Sequence, residues 1–175
     1  MSYFLSVGRL TYSKRVDLAI EACNKLMLEL KIVGSGKEEA YLRSIAGPTV
    51  EFLGSVLDEE LGRLYSGAKA LIFCALDEDF GMVPVEAMAH GTPVVALGQG
   101  GVLETVVDGQ TGIVFKEPTI DSLEAALKKF LRLKKDWSKN CIAQAKKFSK
   151  VRFQRSLRAF VENAYAATVT PSHRP

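Results

Sequence analysis

Apolar positions along this chain switch between two spacings. Six short runs are apolar almost throughout, at residues 3–7, 28–33, 50–53, 70–74, 93–96 and 112–115. Runs of that length with little polar alternation predict strands buried on both faces. Between them lie stretches with apolar residues three and four apart, such as Leu18, Ala19, Ala22 and Leu26, or Leu61, Leu64 and Tyr65. That spacing predicts helices over 16–26, 37–45, 58–66, 82–89 and 102–107. Strand and helix alternate, so the strands run parallel with helices on both faces. The expected fold is a doubly wound, Rossmann-like α/β sheet of about six strands.

From residue 120 onward the pattern is helical alone. Leu123, Ala126, Leu127, Phe130 and Leu131 form one apolar face; Trp137, Cys141, Ala145 and Phe148 form a second; Phe153, Leu157, Val161 and Ala164 form a third. Asp121 with Glu124 is expected to cap the first of these helices. One domain is expected over 1–167, with a disordered tail at 168–175.

A chain of 175 residues can bury a full core, and 25% charged residues suit a globular protein. No apolar run reaches membrane-spanning length, and no basic segment or cleavage site follows Met1, so a cytoplasmic location is expected. Cys23, Cys74 and Cys141 stand far apart in apolar settings and predict buried, reduced thiols. The net charge of +3 conceals a basic stretch over 128–158, where Asp136 is the single acid. Two readings of it are open. One is solvated faces of amphipathic helices. The other is contact with a phosphorylated acceptor or an anionic membrane surface, which would place the protein peripherally at the inner membrane face. The basic residues are not interleaved with aromatic ones, which disfavours nucleic acid.

Ligands of open parallel sheets bind beyond the carboxyl ends of the strands. Four loops fall there, at 8–14, 34–36, 54–57 and 76–81, and each contains glycine, as close backbone approach to a ligand requires. Gly34-Ser35-Gly36 is not a dinucleotide fingerprint, because Glu39 stands where the third glycine belongs. Nor is it a P-loop, because Glu38 follows Lys37 where Ser or Thr would hold magnesium. Arg9 and Lys14 place two cations by the first loop, either as ordinary surface charge or as diphosphate ligands. Asp77-Glu78-Asp79 could hold a metal or be a solvated loop. Its continuation through Gly81, Pro84 and Glu86 favours another role. The glycine and proline open a helix whose first N–H groups suit an anion. Carboxylates flank that point, which suggests a ligand with both phosphate and hydroxyl groups, such as a nucleotide sugar; the other reading of Glu86 is an acid that stabilises its helix through the dipole alone. Asp17 and His90 are expected to cap or line helices, and Gly100-Gly101 to form a turn before a helix.

In order, Gly8-Arg9-Leu10, Lys14, Asp17, 32–36, 50–54, Glu78-Asp79-Phe80-Gly81, Pro84, Glu86-Ala87-Met88, 91–96, Gly100-Gly101, Glu104, Asp108-Gly109 and Thr111-Gly112 resemble the C-terminal domain of the retaining GT-B glycosyltransferases of group 1. The likeness covers roughly residues 3 to 165. It implies that Arg9 and Lys14, beside Gly8, hold the donor diphosphate with backbone N–H groups near Phe80, Gly81, Met82 and Val83. It further implies that Glu86 takes the ribose hydroxyls and that Glu78 faces the donor sugar. The base would lie near Gly34, Ser35 and Gly36 and near Val56 and Leu57. Arg9, Lys14 and Glu78 would then form the catalytic set, with no metal and no cofactor beyond the nucleotide diphosphate sugar itself.

Two residues depart from the family pattern: Asp79 stands where glycine is frequent, and Arg15 follows Lys14 where glycine is frequent. Asp79 is expected to point away from the phosphates. The Asp-Glu-Asp-Phe-Gly form is similar to that of mannosyltransferases using GDP-mannose, which suggests that donor. The family's N-terminal domain, which would hold the sugar or lipid-linked acceptor, is not found in this sequence, so a fragment is expected. A nucleotide-sugar-binding module without transfer activity and a nucleotide-sugar epimerase remain as alternatives.

Overall fold

A computed structural model describes residues 3–169. Six parallel strands form one sheet in the order β3-β2-β1-β4-β5-β6. The strands are β1 (Phe4–Val7), β2 (Leu30–Val33), β3 (Val50–Gly54), β4 (Ala70–Phe73), β5 (Val94–Leu97) and β6 (Gly112–Phe115). This is the order of a doubly wound sheet, and its reversal point falls between β1 and β4. All residues of β4 and β5 are buried, which explains why their sequences carry no polar alternation.

The helices are α1 (Val16–Leu26), α2 (Glu39–Ile45), α3 (Asp58–Gly67), α4 (Met82–Ala89), α5 (Val102–Thr105), α6 (Ile120–Arg132), α7 (Ser138–Ala145) and α8 (Lys150–Val169). α1 packs on α6, and α4 on α7, so the C-terminal helices belong to the same body as the sheet. Phe130 joins them: its ring meets Phe4 edge-on at 6.1 Å and stacks on Trp137 at 5.6 Å. Each large apolar side chain buried here contributes about 1.5–3 kcal/mol. Cys23, Cys74 and Cys141 are free and buried. Among the described residues no helix is long and apolar enough to cross a membrane.

Three boundaries differ from expectation for local reasons. β2 starts at Leu30, because Met27 closes α1 in a left-handed conformation and the Leu28 N–H bonds back to the Cys23 carbonyl. α2 starts at Glu39, because the Glu38 N–H is taken by the Leu10 carbonyl. α6 is capped by Thr119, whose hydroxyl accepts the Ser122 N–H, and not by Asp121, which pairs with Lys25. α8 runs through Val169, two residues into the stretch expected to be patternless; residues 170–175 of that stretch lie outside the described residues. Residues 151–166 of α8 are all exposed. Among the described residues, three of the cations over 128–158 form ion pairs: Lys128 with Glu124, Lys129 with Asp108 and Arg158 with Glu162.

Candidate functional site

The carboxyl ends of β1 and β4 meet at the reversal point, and backbone bonds tie their loops together. The Leu76 N–H donates to the Ser13 carbonyl at 2.8 Å. Beyond that bond, Lys14 Nζ lies 2.5 Å from Glu78 Oε2, with both side chains partly buried. Lys14 ends a 3-10 turn at Tyr12–Lys14, and Arg15 follows it in the left-handed region at φ 47°. Asp17 holds Arg15 there with two parallel bonds, Nε to Oδ1 at 3.0 Å and Nη2 to Oδ2 at 2.9 Å. These bonds raise the pKa of the guanidinium. Asp17 therefore lines the first turn of α1 and does not cap it.

The loop over 76–81 is held from below. The Gly101 N–H donates to the Glu78 carbonyl at 2.8 Å. A Cβ on Gly100 or Gly101 would overlap the backbone of Glu78, Asp79 or Phe80, so the glycine pair is a seat for this loop. Asp77 and Asp79 are exposed, and Phe80 turns its ring edge-on to Phe148 at 5.6 Å. Gly81, at φ 77°, starts α4, and no side chain caps that helix. The first N–H groups, at exposed Met82 and half-buried Val83, are thus left for a ligand. Glu86 lies one turn further on and accepts a bond of 3.1 Å from the Tyr65 phenol. Burial first, then the Glu86 carboxylate, pushes the Tyr65 phenol well above its ordinary pKa, so it stays a donor.

The loops after β2 and β3 sit on the other flank of β1. The Gly8 N–H donates to the Val33 carbonyl, and the Gly34 N–H to the Gly54 carbonyl. The Ser35 and Ser55 hydroxyls face each other at 3.5 Å, which brings Gly34–Gly36 beside half-buried Val56 and exposed Leu57. A Cβ on Gly34 would strike the Gly8 carbonyl, and one on Gly36 the Leu10 backbone. Both glycines are therefore demanded by loop packing as well.

Lys14 and Glu78 are thus in direct contact, and the loops after β2 and β3 are side by side. Arg9 is exposed, and its guanidinium has no partner among the described residues. Glu78 and Glu86 have different partners, Lys14 and Tyr65. Among the described residues no three His, Cys, Asp or Glu side chains converge as a metal site would require. Tyr65 is the site residue that the sequence does not single out. A buried tyrosine on a polar helix needs a partner for its hydroxyl, and that was the available signal.

Residues 2–148 match the family model described as glycosyl transferases group 1. The chain belongs to this family. It is 35% identical over 142 residues to an uncharacterised glycosyltransferase of Methanocaldococcus jannaschii, a match covering 76% of this chain and 36% of that protein. It is 40% identical over 119 residues to a glycogen synthase of Thermus thermophilus, covering 63% of this chain and 27% of that one. An alpha-1,3/1,6-mannosyltransferase of Dictyostelium discoideum is 31% identical over 156 residues, covering 74% and 37%. The chain therefore spans about a third of the length of these curated relatives. Among solved structures, sucrose-phosphate synthase from Thermosynechococcus elongatus superposes with a TM-score of 0.82 at 25% identity, covering 95% of this chain and 46% of that one. Anabaena HepE, solved with UDP, gives 0.81 at 22% identity, covering 93% and 49%. The six-stranded sheet is the Rossmann-like α/β fold of these GT-B glycosyltransferases.

Proposed function

We propose that this chain is the donor-binding domain of a retaining GT-B glycosyltransferase. One observation carries the reading: Lys14, Glu78 and the uncapped start of α4 meet where the sheet reverses. A diphosphate in that crevice would meet Lys14, Arg9 and the N–H groups of Met82 and Val83. When the sugar leaves, the electron pair of its C–O bond goes to the diphosphate, and this positive charge stabilises it there. Glu78 would take the donor-sugar hydroxyls, and Glu86 the ribose hydroxyls. The base would lie along Gly34–Gly36 and Val56–Leu57. Positive charge from the chain would serve in place of a metal. The acceptor would be held by a second domain, and Arg152, Arg155 and Arg158 on exposed α8 would be available to a lipid-linked acceptor or an anionic membrane surface.

The donor proposed is GDP-mannose, supported by the form of the 77–81 loop and by the mannosyltransferase relative. A UDP-sugar is the second reading, favoured by the UDP bound to a protein of the same fold. Family membership favours transfer over the epimerase alternative.

Calorimetry with GDP-mannose and UDP-glucose, with and without EDTA, tests the reading. Tighter binding of GDP-mannose, unchanged by EDTA, is expected. Binding abolished by chelation would return the Asp77–Asp79 metal site. A radiolabelled donor assay on the 175-residue chain is expected to show binding without transfer. On the proposed reading a donor-binding domain alone does not align an acceptor hydroxyl with the anomeric carbon. Multiple turnovers would refute the half-site reading, and binding of neither donor would refute the donor site.

A further inference from the structure

Glu86 is an exposed carboxylate on a short helix, yet one of its oxygens is fixed from inside the protein. The Tyr65 hydroxyl reaches it at 3.1 Å from a ring that is only 2% exposed. Three contacts hold Tyr65 in turn. The Thr92 hydroxyl donates to its carbonyl at 2.5 Å, from a threonine that is itself buried. The His90 ring stacks on it at 5.6 Å, with the planes 23° apart. The rest of the ring lies in the core. A free glutamate side chain samples several rotamers, and ordering it on a ligand costs entropy. A carboxylate has two oxygens, and Tyr65 takes Oε2. Oε1 is left without a hydrogen-bond donor among the described residues.

We propose that Tyr65 is a positioning residue for Glu86. It locks the carboxylate through one oxygen so that the other is presented, already oriented, to a vicinal pair of ligand hydroxyls. This rests on the assignment of Glu86 to the ribose. Tyr65 touches no ligand itself, and it acts by removing the ordering cost that Glu86 would otherwise meet on binding. Thr92 and His90 brace it from α4's own C-terminal end, so the helix that carries Glu86 also holds the residue that aims it.

The test uses the 175-residue chain with GDP and UDP as probes, continuing with whichever binds, together with its 2′-deoxy and 3′-deoxy forms. Affinities are measured for the unaltered chain, Tyr65→Phe and Glu86→Gln, with thermal melting as a check of folding. The unaltered chain should prefer the ribonucleotide to the deoxy forms, and Glu86→Gln should reduce that preference. Tyr65→Phe should weaken the ribonucleotide about five- to ten-fold and leave the deoxy forms nearly unchanged. Equal weakening of ribo- and deoxynucleotides by Tyr65→Phe means a merely structural role and overturns the proposal, as does no change. If Glu86→Gln leaves the preference intact, the ribose assignment fails first and takes the proposal with it. Binding of neither nucleotide to the unaltered chain refutes both.

Discussion

The Lys14 ammonium and the Glu78 carboxylate, 64 residues apart in sequence, meet at 2.5 Å where the two halves of the sheet join. The groups assigned to diphosphate and to sugar thus hold each other. A ligand that recruits Lys14 must compete with Glu78.

This contact separates the two residues by mutation. Lys14→Ala removes a charge-assisted contact and should weaken nucleotide and nucleotide sugar alike, by about 1.5–3 kcal/mol. Glu78→Ala releases Lys14, so the free nucleotide should bind as tightly as before or more tightly, while the sugar conjugate weakens. Calorimetric dissociation constants for both ligands check this, and equal losses in both variants would show that the roles are misassigned.

Arg15 occupies left-handed backbone, the conformation that glycine adopts without strain. A non-glycine residue there costs about 1–2 kcal/mol, partly offset by its two bonds to Asp17. Arg15→Ala loses the bonds and keeps the strain; Arg15→Gly loses the bonds and relieves it. Arg15→Gly should therefore be the more stable variant, by about 1 kcal/mol in urea unfolding.

Two glycines with positive φ should respond differently to alanine. Gly109 faces open space, so Gly109→Ala meets only backbone strain of about 1 kcal/mol. Gly34→Ala adds a collision with the Gly8 carbonyl, and the two loops must part. Its loss should exceed that of Gly109→Ala by at least about 1 kcal/mol, and the melting temperature should fall by several degrees more.

Burial raises the Cys23 and Cys141 thiols from 9.0 to about 12, and pushes the Cys74 thiol and the Tyr65 phenol still higher. These groups stay neutral in the fold and ionise earlier in the unfolded chain. Their contribution is complete below pH 9 and disappears as pH rises towards 12. Urea midpoints should hold steady from about pH 7 to 8 and fall beyond 9, and Cys23→Ala should soften that fall. At about pH 8 a thiol reagent should modify the unfolded chain and spare the native one; rapid native labelling would contradict the burial.

The sheet could be read from the sequence because its strands are apolar on both faces and its helices are not. β4 and β5 are continuous apolar runs, and no helical face resembles them. Local competition decided what could not be read. Asp121 and Thr119 both offer an oxygen near the start of α6, and only the backbone path shows that Thr119 receives the Ser122 N–H. Glycine shows in a sequence, but the atoms opposite it do not, so the packing of Gly34 and Gly36 against the Gly8 and Leu10 backbones could not be read. The Lys14–Glu78 and Tyr65–Glu86 contacts cross between elements, and no periodicity encodes them.

β1 and β4 pair as neighbours, Phe4 with Ala70 and Leu5 with Leu71, although two strands and three α-helices separate them along the chain. Pairing residues so far apart in sequence raises the contact order, which slows folding. The crevice lies on that seam. A chain still being synthesised has no site until Ala70–Phe73 has emerged and settled against β1. Any ligand of that crevice would therefore stabilise the finished domain by mass action and offer no guidance to the early chain.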